Sequence, residues 1–161
     1  MPAIRHLKDK ERKQLQREFI ERYPTSEKFL QSGSAIEEQI VGDDRVFLLD
    51  GKPRIVRTKF GLFPSLKFDD FVNSLPIVVV DMGAVAHVAN GANVMRPGIR
   101  EIRNDFGKGA LLLIVDEKFG KHIALGLADM DSGAMRSMDK GKVVVNVHYV
   151  GDELWKSFPG S

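Results

Sequence analysis

Apolar positions change their rhythm along this chain, and each rhythm predicts an element. Over residues 5–23, Leu7, Leu15, Phe19 and Ile20, with Ile4 just ahead, form an imperfect helical stripe among many charges, which predicts an amphipathic helix ended by Tyr23-Pro24. A short second helix is expected over residues 26–30. Residues 36–41, 46–49 and 54–57 then carry β-type runs, and Asp50-Gly51 is the kind of dipeptide that closes a two-residue hairpin between strands. Together these segments predict a small α+β domain over residues 1–75.

Past Pro76 the pattern changes. Ile77-Val78-Val79-Val80 is an unbroken β-branched run suited to a strand buried on both faces. Asp81 is placed to cap a helix in which Met82, Val85, Val88, Ala89 and Ala92 share a stripe and His87 faces outward. Gly91 stands where such a helix stops, and Pro97-Gly98 fits the centre of a type II turn. Of the 15 glycines, 11 follow residue 75, separating short β-rich runs at 110–115, 123–127 and 142–150. Frequent turns between short strands predict a closed or nearly closed sheet over residues 76–161, with 116–121 as a hairpin loop. The fold class expected for the whole chain is α+β.

Two segments leave alternatives open. The glycine-bracketed stretch from Gly91 to Ile99 is either a tight helix-to-strand connection or a stiff loop that presents Arg96 at little entropic cost. In Lys59-Phe60-Gly61-Leu62-Phe63-Pro64-Ser65-Leu66-Lys67, basic and aromatic residues interleave as on single-strand nucleic-acid platforms, yet both phenylalanines suit a core equally well.

Charge narrows the possible partners. The net charge is +2 and the pI about 8.9, with 14 basic and 12 acidic residues before Pro76 and 10 of each from there on. Neither half is a polycation, so a nucleic-acid site must be a local patch that relies on shape and stacking as well as on phosphate charge. The run from Lys8 to Arg12 alternates in sign and reads as a solvated helix face. With no cysteine the chain has neither disulfides nor thiolate metal sites, which fits a reducing, cytoplasmic setting. Its charged start lacks the apolar core of a signal peptide, and Leu111 to Val115 is too short to cross a bilayer.

Catalytic signatures are missing. His6, His87, His122 and His148 lack metal-ligand spacing, and there is no GxSxG elbow. Asp129-Met130-Asp131-Ser132-Gly133 starts like a calcium loop but has Ala134 and Lys140 where glycine and glutamate are required, so it reads as a turn. Gly107-Lys108-Gly109 precedes a strand-type run, whereas a phosphate loop opens a helix. No catalytic residue, metal site or cofactor is assigned.

Asp81 through Ile99, with the glycine-spaced strands up to Trp155, resembles a PUA domain. Asp50-Gly51-Lys52, the stretch from Arg57 to Lys67, Gly91 to Ile99, Asn146-Val147-His148-Tyr149 and Leu154-Trp155 are similar, in the same order, to the malignant T-cell-amplified sequence family. With its compact length and lack of cysteine, the chain reads as an archaeal relative. The resemblance implies a β-rich pseudo-barrel after the amino-terminal domain and a non-enzymatic RNA-binding role in translation initiation, reinitiation or recycling. The implied partners are the small ribosomal subunit, rRNA or the 3′ acceptor end of tRNA, and a density-regulated-type protein.

Mapped onto matching positions, the RNA-facing loop comprises Gly91, Ala92, Asn93, Val94, Met95, Arg96, Pro97, Gly98 and Ile99. Met95 and Ile99 act as apolar supports, and Arg96 is the first candidate for a phosphate or stacked-base contact. Arg100 and Arg103 extend a positive edge if the next strand alternates its faces imperfectly. Tyr149 offers either a stacking face or a core ring, and Trp155 a packing anchor. The alternative functions are an accessory module for tRNA or rRNA modification and a protein–protein adaptor without RNA.

Overall fold

The computed structural model describes residues 3–160. The chain divides into two compact units, Met1–Val72 with Lys156–Ser161 and Asn73–Trp155. The division falls three residues before Pro76, and residues 156–160 group with the first unit. Among the described residues, no helix is long and apolar enough to cross a membrane.

In the first unit, β1 (Ile4–His6) precedes α1 (Asp9–Arg22), so the expected helix begins four residues late. The reason is tertiary: Ile4, Arg5 and His6 pair with Gln39, Glu38 and Glu37, which turns the start of the stripe into a sheet edge. Of that stripe only Leu15 and Phe19 are buried. Glu11 closes the helix start by accepting the Lys8 amide at 3.1 Å. The expected second helix is a 3-10 segment, Pro24–Phe29.

Four more strands, β2 (Ile36–Val41), β3 (Asp44–Leu49), β4 (Lys52–Thr58) and β5 (Gly61–Pro64), continue an antiparallel meander in the order β1-β2-β3-β4-β5. Asp50 and Gly51 both take positive φ, 50° and 82°, as a primed hairpin turn requires. Against the sheet lies an aromatic cluster of Phe19, Tyr23, Phe68 and Phe71, the last on the short helix α2 (Asp69–Val72). The Tyr23 hydroxyl donates to Leu62 O at 2.7 Å, and burial pushes its pKa well above the usual phenol value. The two phenylalanines left open by the sequence separate: Phe63 is buried in the core, whereas Phe60 sits exposed at the β4–β5 tip.

The second unit is a six-stranded sheet in the order β7-β11-β10-β9-β6-β8. Its strands are β6 (Ile77–Val80), β7 (Val94–Met95), β8 (Ile99–Arg103), β9 (Leu111–Asp116), β10 (His122–Ala128) and β11 (Lys142–Tyr149). As its apolar run predicts, β6 is interior; it pairs parallel with β9 and antiparallel with β8. The core is built from Val78, Val80, Leu112, Ile114, Val143 and Val144, with Val88 of α3 (Met82–Val88) and Met135 of α4 (Ser132–Ser137). Asp131 caps α4 by accepting the Ala134 amide at 2.8 Å, so the stretch resembling a calcium loop is a helix start. A last helix, α5 (Glu153–Ser157), leads the chain back to the first unit.

The curl of this sheet follows from its topology. Its two edges, β7 and β8, are consecutive in sequence and joined only by the 3-10 turn Arg96–Gly98. Three residues of such a turn rise only about 6 Å, so opposite edges must come together and the sheet rolls into a nearly closed barrel. The loop singled out in the sequence is the seam of that barrel.

Candidate nucleic-acid interface

The seam and α3 line an open cleft in the second unit, with a volume of about 600 Å³. Asp81, Gly83, Ala84 and His87 line it from the helix side, and Ala92, Asn93, Met95, Pro97 and Gly98 from the loop. Local chemistry fixes both walls. The Asp81 carboxylate accepts the Ala84 amide at 2.7 Å and starts α3. At the other end the Ala92 amide donates to His87 O and the Gly91 amide to Val88 O, both at 3.0 Å, with Gly91 at φ +94°. This is a Schellman stop, which a residue with a Cβ adopts only at a cost.

Asn146, a buried amide in the apolar run of β11, ties the helix end to the loop. Its Nδ2 donates to Val88 O and Ala92 O, both at 3.1 Å, while its backbone amide donates to Asn93 Oδ1 at 2.9 Å. Tyr149 lies over the same corner: a Cβ on Gly91 would stand 3.0 Å from its ring. The Tyr149 ring therefore backs the loop. Next to it, His148 is fully buried with Nδ1 2.7 Å from Asp152. Burial alone would raise the Asp152 carboxyl, but His148 and the Trp155 and Tyr149 amides outweigh it and hold the pKa below the usual value. A ring sealed from solvent serves structure.

Arg96 occupies the seam itself. Its Nε donates to Met135 O at 2.7 Å, and Nη1 and Nη2 reach Ile99 O and Arg136 O at 3.5 Å. The guanidinium thus binds carbonyls at the end of α4 and across the turn, a structural task that the sequence did not disclose. Pro97-Gly98 is a 3-10 turn, since Gly98 lacks the positive φ of a type II turn. Glycine is required there for another reason: a Cβ would lie 2.8 Å from Ala84 Cβ, where α3 crosses the seam. The Gly98 carbonyl accepts the Asp81 amide at 2.9 Å, joining the two walls.

The remaining sequence candidates separate by burial and charge. Val94 and Ile99 face the core, whereas Met95 is 51% exposed at the rim. A bulge in the β6–β8 pairing, between Val79 and Val80, breaks alternation beside Arg100. Both Arg100 and Arg103 are exposed and engaged, Arg100 with Glu117 at 3.3 Å and Asp81 at 3.8 Å, Arg103 with Glu101 at 2.8 Å. The cleft wall is consequently apolar and backbone-rich, with Asp81 its one formal charge and the outward-facing His87 a polar side chain on the wall. Sequence reasoning missed Gly83, Ala84 and Asn146. Two small residues in the first turn of a helix, and a lone amide inside Val143-Val144-Val145-Asn146-Val147, were the signals. Among the described residues, no three His, Asp or Glu side chains gather to hold a metal.

Comparison with known proteins places this architecture. The PUA domain model matches residues 76–150. An uncharacterized protein of Methanocaldococcus jannaschii is 33% identical over 92% of this chain and 93% of its own length. Translation machinery-associated protein 20 of Saccharomyces cerevisiae is 30% identical over 93% of this chain and 92% of its own. Among solved structures, a PUA domain from Aeropyrum pernix superposes with a TM-score of 0.79 at 26% identity, covering 96% of this chain and 90% of that one. With its α+β fold, curled six-stranded sheet and near full-length relatives, the chain belongs to the PUA-domain family of translation machinery-associated protein 20 and the malignant T-cell-amplified sequence proteins.

Proposed function

We propose that this protein is a non-enzymatic RNA-binding protein of the translation machinery, and that the cleft between α3 and residues 92–98 takes a single-stranded RNA end such as the 3′ acceptor end of tRNA on the small ribosomal subunit. The observation that carries this reading is the preformed cleft at the barrel seam. Its walls are fixed by Asp81, Asn146 and Arg96, and it presents small residues, backbone and apolar side chains to a ligand. Such a surface suits a splayed nucleotide chain, recognised by shape and stacking more than by charge. Membership in a family with a translation-associated relative supports the setting. In this reading Met95 and His87 contact bases, Gly91 to Gly98 offer backbone, and Arg100 and Arg103 supply the nearby cations by exchanging a carboxylate for a phosphate. A density-regulated-type protein is the expected partner, and the cytoplasm the expected setting.

The test measures binding to tRNA with and without its single-stranded 3′ end, and co-sedimentation with small ribosomal subunits, across a salt series. Affinity should fall with added salt and with removal of the 3′ end. If neither tRNA nor subunit binds at low salt, RNA binding is rejected. The engagement of Arg96, Arg100 and Arg103 with protein groups would then favour a protein–protein adaptor that uses the exposed Met82 and Met95.

A further inference from the structure

The most exposed large apolar side chain in the described structure is Phe119, with 70% of its surface open to solvent. It stands at the tip of the β9–β10 hairpin, between Lys118 and Lys121, with the Lys118 ammonium 5.3 Å from its ring centroid. Apart from the Lys118 cation the ring is left open, and an exposed phenylalanine forgoes the stabilisation that burial would give it.

The tip is held rigidly. The buried Asp116 carboxylate accepts the Lys118 amide at 2.8 Å, the Lys121 amide at 2.9 Å and the Phe119 amide. Gly120 turns the chain at φ +67°, and its amide donates to Asp116 O at 3.2 Å. An aromatic side chain on a pre-ordered turn contacts a ligand with little further loss of entropy. Asp116 is spent on these amides and Glu117 is turned to Arg100, so the charges flanking the ring are two ammonium groups.

The hairpin also adjoins the cleft. The Glu117 amide donates to Val80 O at 2.9 Å, directly before the cap of α3. Glu117 contacts Arg100, which in turn reaches Asp81 on the cleft wall at 3.8 Å. The hairpin therefore leaves the barrel beside the N-terminal end of the cleft.

We propose that the Lys118–Lys121 tip is a second RNA contact, in which Phe119 stacks on an unpaired base of the strand that enters the cleft and Lys118 and Lys121 take its phosphates. An aromatic face between two cations is the arrangement that binds single strands without regard to sequence. The proposal rests on the RNA reading of the cleft.

The test uses the full chain and two labelled single-stranded RNAs with the same 3′ end, one of about three nucleotides that fills the cleft alone and one of about ten that reaches beyond it. Phe119→Ala should weaken the longer RNA about tenfold, leave the shorter unchanged and keep the wild-type melting curve, while Phe119→Tyr restores binding. Phe119→Trp should show quenching by the longer RNA beyond that of the native Trp155. Unchanged long-RNA affinity in Phe119→Ala, or no added quenching in Phe119→Trp, while the short RNA still binds, would overturn the hairpin contact. It would leave the cleft reading intact and transfer the ring to a protein pocket. Equal weakening of both RNAs would also overturn it, because the effect would then lie in the cleft. Failure of the wild-type chain to bind either RNA would remove both readings.

Discussion

Arg96→Ala separates two roles that the sequence could not tell apart. In the structure the guanidinium makes one short bond to a backbone carbonyl, Nε to Met135 O at 2.7 Å, and two long ones at 3.5 Å. A bond from a charged donor contributes about 1.5–3 kcal/mol, and the long pair adds little. Met135 O keeps the Met138 amide at 3.3 Å, so its carbonyl is not stranded and the upper end of the range is not reached. The expected loss is about 2 kcal/mol, which moves a urea midpoint by about 1 M at a slope of about 2 kcal/mol per M. Lysine should recover little, because one ammonium cannot replace the guanidinium fork that spans three carbonyls. Equilibrium urea unfolding gives the stability, and an RNA titration over salt gives the charge count. If Arg96 holds the seam, the logarithmic salt slope stays at its wild-type value. A wild-type urea midpoint, together with a slope reduced by about 0.7, the value of one single-strand phosphate, would refute the seam role and make Arg96 a direct contact.

Asn146→Ala removes both Nδ2 bonds and should cost about 2 kcal/mol, with faster amide exchange at Gly91 and Ala92, where the helix end comes loose. Gly98→Ala sets a methyl against Ala84 and should cost about 1–3 kcal/mol in unfolding free energy, most of it recovered by adding Ala84→Gly. Asp152 is held below its ordinary pKa, so its contribution is present above the unfolded-state value near 3.9 and is lost as pH falls through the folded value. Asp152→Asn should therefore cost about 2 kcal/mol or more near neutral pH, and its gap to wild type should narrow as the pH drops below about 4, measured by urea midpoints over a pH series.

Local chemistry that the chain carries with it was readable from the sequence. The Ile77–Val80 run, the Asp81 cap, the Gly91 stop and the Asp50-Gly51 turn each depend on a few neighbouring residues, and each stands in the structure. Readings that needed a distant partner went differently. Residues 4–6 became a strand because β2 lies beside them, and Pro97-Gly98 took a 3-10 turn because it must join opposite edges of one sheet. Arg96 was read as the first candidate for a phosphate or stacked-base contact, and its bracing of the seam was not legible, because its partners at Met135 and Arg136 lie 39 and 40 positions away, beyond any local pattern.

The sequence by itself determined the α+β class, the change of pattern near Pro76, the loop to watch and, through the ordered motifs, the family. The first three follow from periodicity and turn chemistry, which act over a few residues, whereas the family follows from the likeness of the ordered motifs. Only the tertiary structure decided that the loop is the seam of a barrel, that its arginine braces that seam, and that the cleft beside it is apolar. It also decided that Phe119 is left bare on a stiff hairpin. Closing a sheet brings residues far apart in the chain to within hydrogen-bonding distance, and no local rule records which carbonyl a long side chain will then reach.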